Sequence, residues 1–548
     1  MTENNAPHDP KHRAELLMPA GSLSKLKTAI LYGADAVYAG TPDLSLRTQS
    51  DFALEDLMEG VRFVHEYGKR IYLTLNLFTH NRDIEKLPEF VKTIRKVKPD
   101  GVIVADQGVF HFLREHAPEL DIHVSTQANA CSWLTVKSWE SMGAKLCVLA
   151  REVSFEELVE IREKCPDIKL EAFIHGAMCM TYSGRCLLSN FLAERGANQG
   201  NCAQSCRWNY KVMARAKDGS EIAITPDNKD DYDFYLEEEF RPGELMKIEE
   251  DDRGSYIMNA KDLCLMPKLD DYLKLGVDSL KVEGRNKSEY YAAVTARAYR
   301  LAIDDWYADP ESWTPDPYLR EIYTLQNRGY SLGFHDGRLT NIAHNYDRTD
   351  TVGGWLYAGV VERWEGDDII FSLRNTLKPG SVIEFLSPFE IEPIRLRLYE
   401  FVNAKNGEVM EKASPGQDRA IRIPGELFHN EDLACLKKIL PVCSIGRTEA
   451  VLSEDRQALL QGNLMSMDVE RGLRDGNEER PTLKGRAHTG KTPALGLDAC
   501  CGLGCNGCYM FWEDDKYAKA REVMKAKKIG QMLGKKEAKE AEKTDAAQ

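Results

Sequence analysis

The stretch ELLMPAGSLSKLKTAILYGADAVYAG, Glu15 to Gly40, runs through a short apolar strand, a turn and an amphipathic helix, and then Gly-Ala-Asp opens a second apolar strand. The same unit recurs down the chain. KRIYLTLNLF is followed by the helical pattern IEKLPEFVKTIRKV and the strand DGVIVAD. QGVFHFLREHAP leads to DIHVST, VKSWESMG to AKLCVLA, SFEELVEIREKC to KLEAFIHG, and KDLCLMPKLDDYLKLG to VDSLKVEG. Eight candidate strands rich in Val, Ile and Leu, separated by helical patterns, predict a parallel sheet, and their number suggests closure into a TIM-like (β/α)8 barrel. An open doubly wound sheet is the alternative, disfavoured because no Gly-rich fingerprint follows the first strand.

In such a barrel the chemistry gathers at the carboxyl ends of the strands. Polar residues are many there: Asn76, Asp106, Gln127 with Asn129, Arg151 with Glu152, His175, and Glu283 with Arg285. Each one singly is explained as well by a strand-end cap or a loop hydrogen bond. Together they predict a polar pocket. Asp106, Glu152, His175 and Glu283 are candidate proton-transfer groups, on placement alone. Asn76, Gln127, Arg151, Arg285 and the later Arg207 are candidate substrate contacts, because guanidinium suits bidentate recognition of phosphate or of a small anionic molecule. Pairing with the abundant carboxylates is the other reading of each arginine.

After the helical run SEYYAAVTARAYRLAIDDW the character changes at DPESWTPDP, a Pro-rich border. GGWLYAGVVERW, DDIIFSLRN, GSVIEFLS, IRLRLYEFVN, AIRIPGE and PVCSIGRT then alternate between Gly, Asn and Asp turns, which predicts a small antiparallel β barrel or sandwich. The expected division is a tail over 1–14, a barrel over 15–308, a connection over 309–350, the β module over 351–450, and an extension over 451–548. From Lys525 onward the extension is rich in Lys, Glu and Ala, the composition of a solvated helix or disorder.

With 548 residues, 43% of them hydrophobic, the chain can bury more than one core. It has no run of eighteen apolar residues and no signal-peptide pattern at its start, so the expected compartment is the cytoplasm, with no membrane partner. A net charge of −15 argues against a general nucleic-acid binder but leaves room for a local basic face. In a reducing compartment the 14 cysteines are expected to be thiols or metal ligands rather than disulfides. Cys131, Cys147, Cys165, Cys435 and Cys443 stand singly and are expected to be small buried hydrophobes.

The others cluster. HGAMCMTYSGRC, His175 to Cys186, and NCAQSC, Asn201 to Cys206, place Cys179, Cys186, Cys202 and Cys206 among glycines that allow tight turns. Four thiolates so spaced suit zinc or an iron–sulfur cluster, and the six-residue gap between the first two leans toward the cluster. Cys264, in NAKDLC, competes with Cys206 as fourth ligand. CCGLGCNGC holds Cys500, Cys501, Cys505 and Cys508, a second metal site or a redox thiol pair.

The segments EAFIHGAMCMTYSGRCLLSNF, NQGNCAQSCRWNY, YIMNAKDLC and SLKVEGRNKSEYY, with the opening ELLMPAGSLSKLKTAILYGADAVYAG, resemble the collagenase-like peptidase U32 family from about Glu15 to Ala450. The resemblance implies a TIM-like barrel and an iron–sulfur cluster, of the 4Fe–4S kind, on Cys179, Cys186 and Cys202, with Cys206 or Cys264 as the fourth ligand. It further implies conversion of the wobble uridine of certain tRNAs to 5-hydroxyuridine without molecular oxygen, with prephenate as an associated co-substrate and an electron donor or partner subunit beyond the tRNA. The tail with CCGLGCNGC departs from the compact relatives. The historical peptidase activity is the second reading. No HExxH zinc motif is present, and a Cys179 thiolate committed to iron could not also act as a nucleophile beside His175. Hydroxylation of ribosomal RNA, oxygen-independent ubiquinone synthesis and a non-catalytic redox-sensing module complete the alternatives.

Overall fold

A computed structural model describes residues 13–40, 52–76, 79–178, 260–337, 351–416, 420–428 and 433–471, together with the backbone of five short strands between 213 and 256. Seven strands lie side by side in chain order, each parallel to the next: β1 Glu15–Ala20, β2 Ala36–Gly40, β3 Arg70–Leu75, β4 Gly101–Val104, β5 Ile122–Val124, β6 Leu146–Val148 and β7 Lys169–Gly176. After the short strands β8 Met213–Arg215, β9 Glu221–Ala223, β10 Phe234–Glu237, β11 Leu245–Asp251 and β12 Gly254–Tyr256 comes β13, Asp262–Cys264. Strand β14, Ser279–Val282, closes the barrel: its Ser279 pairs with Glu15 of β1 on one side and with Glu171 of β7 on the other. Eight parallel strands with no open edge are the TIM-like barrel expected from the sequence.

Strands covered on both faces read as apolar runs, and β1, β2, β4 and β14 are buried along their whole length. The helices that follow start at side-chain caps. Ser22, Asp106, Ser132, Ser154 and Ser288 each accept a backbone N–H three residues on, a contact typically worth about 1 kcal/mol.

The segment expected to run as one long helical pattern before the last strand is divided. Its first residues form β13, antiparallel to β7 with Cys264 opposite His175 and Leu263 opposite Gly176. The helix is confined to Leu269–Leu275. Strand β15, Tyr330–Ser331, adds to β13 in parallel.

Strands β16 Trp355–Glu365, β17 Asp368–Leu373, β18 Val382–Phe385, β19 Ile394–Arg397, β20 Val402–Asn403, β21 Ala420–Ile423 and β22 Ile445–Glu449 form one sheet in the order β19-β18-β22-β16-β17-β21-β20. Its two edge strands are neighbours in the chain, from Arg397 to Val402. A flat seven-stranded sheet would hold its edges roughly 29 Å apart, whereas five steps of chain reach at most about 18 Å. The sheet must therefore curl, and it does so around Phe371, Phe385, Leu398, Phe401 and Ile421.

This module lies against the barrel through the helix Glu289–Ala308. That helix is buried at ten consecutive positions, Tyr290 to Tyr299, because it has barrel on one side and β module on the other. Tyr32 Oη accepts from Ile445 N at 2.8 Å and donates to Leu386 O at 2.9 Å. Arg447 donates from Nη1 and Nη2 to the two Glu321 oxygens at 2.7 and 3.1 Å, and from Nε to Glu384 at 3.0 Å. Among the described residues no helix is long and apolar enough to cross a membrane.

Candidate active site at the barrel mouth

Alternation along the strands decides what the barrel interior contains. Leu17, Ala36, Tyr38, Tyr72 and Ile103 form its apolar filling. Closure by β14 sets a polar layer across it, because the register that places Ser279 between Glu15 and Glu171 also joins their side chains. Ser279 Oγ lies 2.7 Å from Glu171 Oε2 and 3.4 Å from Glu15 Oε1. A hydroxyl has one proton to give. Once it goes to Glu171, an ionised Glu15 would have no proton across the longer contact. Burial, opposed by Arg70 at 2.7 Å and reinforced by the Glu171 charge, pushes the Glu15 carboxyl up to about 7. Tyr72 Oη donates to its other oxygen at 3.1 Å. His123, against the Tyr72 ring at 4.5 Å, is pushed down to about 3 by burial and is neutral.

Nearer the carboxyl ends stands a ladder of cations and rings. Lys281 is buried, donates to Glu171 Oε1 at 2.6 Å and sits 4.6 Å from the Tyr38 ring and 5.6 Å from the Phe173 ring. Arg285 lies over the Tyr38 ring at 5.4 Å and donates to Thr74 Oγ1 at 3.2 Å. Arg151 lies over the Phe173 ring at 4.1 Å. Among the described residues neither arginine has a carboxylate partner, so Glu171 neutralises the lysine and leaves two guanidinium charges at the mouth. Rings hold these cations in place at a cost in solvation that a bound anion would relieve.

Two glycines allow the rim loops to meet. A Cβ on Gly21 would stand 2.1 Å from Arg285 O, and one on Gly176, which has φ +118°, would stand 2.6 Å from Glu283 O. The carboxyl ends of β1 and β7 thus touch the loop that carries Glu283 and Arg285.

Arg151 and Arg285 come together on the ladder, and Asn76, just past the end of β3, donates to Ser125 Oγ at 3.4 Å. Gln127 is buried, with its backbone N–H on the same Ser125 hydroxyl at 3.2 Å. Asp106 serves as a helix cap, its Oδ1 accepting from Val109 N at 3.0 Å. Glu152 lies at the rim near Cys131, whose thiol is raised by burial and then by that charge. Glu283 follows Lys281 by two residues, and its carbonyl accepts from Tyr291 Oη at 2.6 Å.

His175 is placed differently from the rest. A register shift in β7, between Phe173 and His175 opposite Lys281 and Val282, breaks the alternation. Its ring lies among Tyr291, Tyr299 and Tyr330, with Nδ1 3.4 Å from Tyr299 Oη, and burial pushes it down to about 3. Cys264 shares this enclosure, fully buried with Sγ 3.8 Å from Tyr299 Oη. Of the single cysteines, Cys147 and Cys165 are buried and Cys131 and Cys443 are half-buried.

Arg207, Cys179, Cys186, Cys202, Cys206, Cys500, Cys501, Cys505 and Cys508 lie outside the described residues, as does the Cys435 side chain. Among the described residues no group of three His, Cys, Asp or Glu side chains is placed to hold a metal ion. Sequence reasoning passed over Lys281, Glu171, Tyr38 and Phe173. The signal was alternation itself: Ser279 and Lys281, and Glu171 and Phe173, occupy alternate positions of two strands already identified.

Comparison with known proteins adds what geometry alone does not. The chain is 40% identical over 436 residues to tRNA hydroxylation protein P of Escherichia coli (strain K12), covering 75% of this chain and 94% of that protein. It is 38% identical over 384 residues to tRNA hydroxylation protein P1 of Bacillus subtilis (strain 168), covering 69% and 85%. It is 32% identical over 428 residues to 23S rRNA 5-hydroxycytidine C2501 synthase of Escherichia coli (strain K12), covering 77% and 60%. Residues 21–345, more than half of the chain, match peptidase family U32, and the chain belongs to that family.

Proposed function

We propose that this protein is an RNA-modifying enzyme that hydroxylates a pyrimidine, and specifically that it converts the wobble uridine of certain tRNAs to 5-hydroxyuridine. The observation that carries this reading is similarity to a tRNA hydroxylation protein over 94% of that protein's length. The mouth supports it chemically. A base extruded from the anticodon loop would be received at the mouth, above the packed interior, while Arg151 and Arg285 take a phosphate or a small carboxylate such as prephenate.

In this reading Cys179, Cys186 and Cys202, with Cys264 or Cys206, hold a 4Fe–4S cluster. The fit rests on Cys264. It stands opposite His175, and four residues of chain from His175 to Cys179 reach no more than about 14 Å. Such a cluster supplies one-electron transfer when bound, which accords with chemistry free of molecular oxygen in the cytoplasm. Cys500, Cys501, Cys505 and Cys508 would form a second metal site or a contact for an electron donor or partner subunit. Proteolysis is less well served: His175, the histidine nearest the cysteine loop in sequence, is enclosed by three tyrosines with its Nδ1 on Tyr299.

Nucleoside mass spectrometry on separated tRNA and ribosomal RNA, from cells with and without the gene, tests the reading. The expected result is loss of 5-hydroxyuridine or its derivatives from tRNA, restored by the intact gene and not by Cys179→Ala. Unchanged tRNA and ribosomal RNA would overturn it.

A further inference from the structure

A polyanion the size of a tRNA cannot enter the barrel. In the RNA reading the mouth takes one base, with one anionic group on Arg151 and Arg285, so the phosphates flanking that base need further cations outside the mouth. The β module offers a second set. A cleft of about 1130 Å³ on it is lined, among the described residues, by Arg363, Arg374 and Lys405 with Ser372 and Asn403, and by the carboxylate Glu362. Even with Glu365 beside Arg363 counted, the cations outnumber the carboxylates among the described residues here, in a chain of net charge −15.

The cations differ in how free they are. Arg363 is committed to Glu365, with Nε at 2.8 Å. Arg374 makes only long contacts, from Nη1 to Ser372 Oγ at 3.4 Å and to Leu373 O at 3.5 Å. Neither Arg374 nor Lys405 has a carboxylate partner among the described residues, and both are exposed.

One wall of the cleft is joined to the barrel rim. The Arg374 N–H donates to Ala358 O at 2.8 Å. The preceding residue, Tyr357, stacks on Tyr290 with ring centres 6.0 Å apart. Tyr290 opens the helix that begins just past the loop carrying Arg285. We infer that this cleft binds the phosphate backbone of the RNA whose base the mouth receives, with Arg374 and Lys405 as the phosphate contacts. The inference rests on the RNA reading above and deepens it by naming a second contact surface.

The test is binding of a fluorescein-labelled tRNA transcript with a wobble uridine, measured by anisotropy across a series of salt concentrations. The full chain is compared with the Arg374→Ala/Lys405→Ala double variant and with a Lys92→Ala/Lys96→Ala control, which removes the same charge from a distant helix. Each lost phosphate contact lowers the log–log salt slope by about 0.7 to 0.9, so the cleft variant is expected to lose roughly 1.5 from the slope and about tenfold in affinity at moderate salt. The control should bind like the parent. All four substituted side chains are exposed, and equal melting temperatures would establish that folding is intact.

Parent-like affinity and slope in the cleft variant would overturn the inference, including the case in which the cleft serves an acidic protein instead. Equal weakening in the cleft variant and the control would overturn it as well, since the effect would then be one of overall charge. Failure of the RNA reading appears elsewhere, in an unchanged nucleoside profile from cells lacking the gene.

Discussion

The carboxyl of Glu15 illustrates how closure of the barrel sets the chemistry of single residues. It is enclosed with Glu171 across one serine hydroxyl, and its proton is held up to about pH 7 chiefly because burial disfavours the charge. In the unfolded chain the same group titrates near its ordinary value of 4.5. Below that value both states carry the proton and the contribution to stability is fully present. Between about 4.5 and 7 the unfolded state releases its proton while the folded state keeps it, so stability is lost as pH rises through this window. The full shift corresponds to about 3 kcal/mol. Glu15→Gln keeps the shape without the charge, so the urea midpoint of the variant relative to that of the parent is expected to rise from pH 5 to pH 8. The buried histidines act in the opposite sense: neutral His123 and His175, both held near 3, withdraw stability as pH falls below 6.5. Comparing variant with parent cancels them, and the same pH dependence in both proteins would show that Glu15 is ionised throughout. Lys281 and Glu171 belong to the same layer and are coupled, since removing either leaves the other charged and buried.

At the scale of elements, the eight barrel strands were legible because each apolar run is bounded by a helical pattern and a Gly turn, and the period changes where one gives way to the next. Strands β13 and β15 were not, being three and two residues long and so too short to show a period. The position of His175 was beyond reach for a related reason. Sequence alternation places it with Glu171 and Phe173, and only the register shift against β14 moves it into the tyrosine enclosure. The arginines of the ladder could be named from strand ends, while their rings and Lys281 required reading the inward positions of strands whose partners only closure reveals. The same junction depends on Gly176. Gly176→Ala would place a Cβ in a left-handed backbone conformation and against Glu283 O and Cβ at 2.6 and 2.8 Å. Gly276→Ala meets the first problem alone, since it has φ +72° and nothing within 4 Å. The expected cost is about 1 kcal/mol for Gly276→Ala and at least about 3 kcal/mol for Gly176→Ala, read from urea midpoints. Equal costs would mean that β7 and the Glu283 loop yield to each other freely.

For the whole molecule, the question is whether barrel and β module behave as two bodies or one. The helix Glu289–Ala308 lies in the barrel core together with Leu386 and Ile445 of the β module, and the Arg447, Glu321 and Glu384 network is buried at the joint. Neither module could leave without exposing that helix and stranding those charges, so the two should unfold together. Tyr32 tests this with the smallest change. Its hydroxyl bridges Ile445 N–H and Leu386 C=O, and Tyr32→Phe would take the side-chain partner from a buried donor and a buried acceptor, at about 1 to 3 kcal/mol each. In a shared core that cost lowers one calorimetric transition by a few degrees. If the modules are instead independent, the parent shows two transitions and the substitution shifts at most one of them. The outcome bears on function, because a rigid joint is what would hold Arg374 at a fixed distance from the mouth. A cleft on an independently moving module could bind RNA but could not set which base arrives at the mouth.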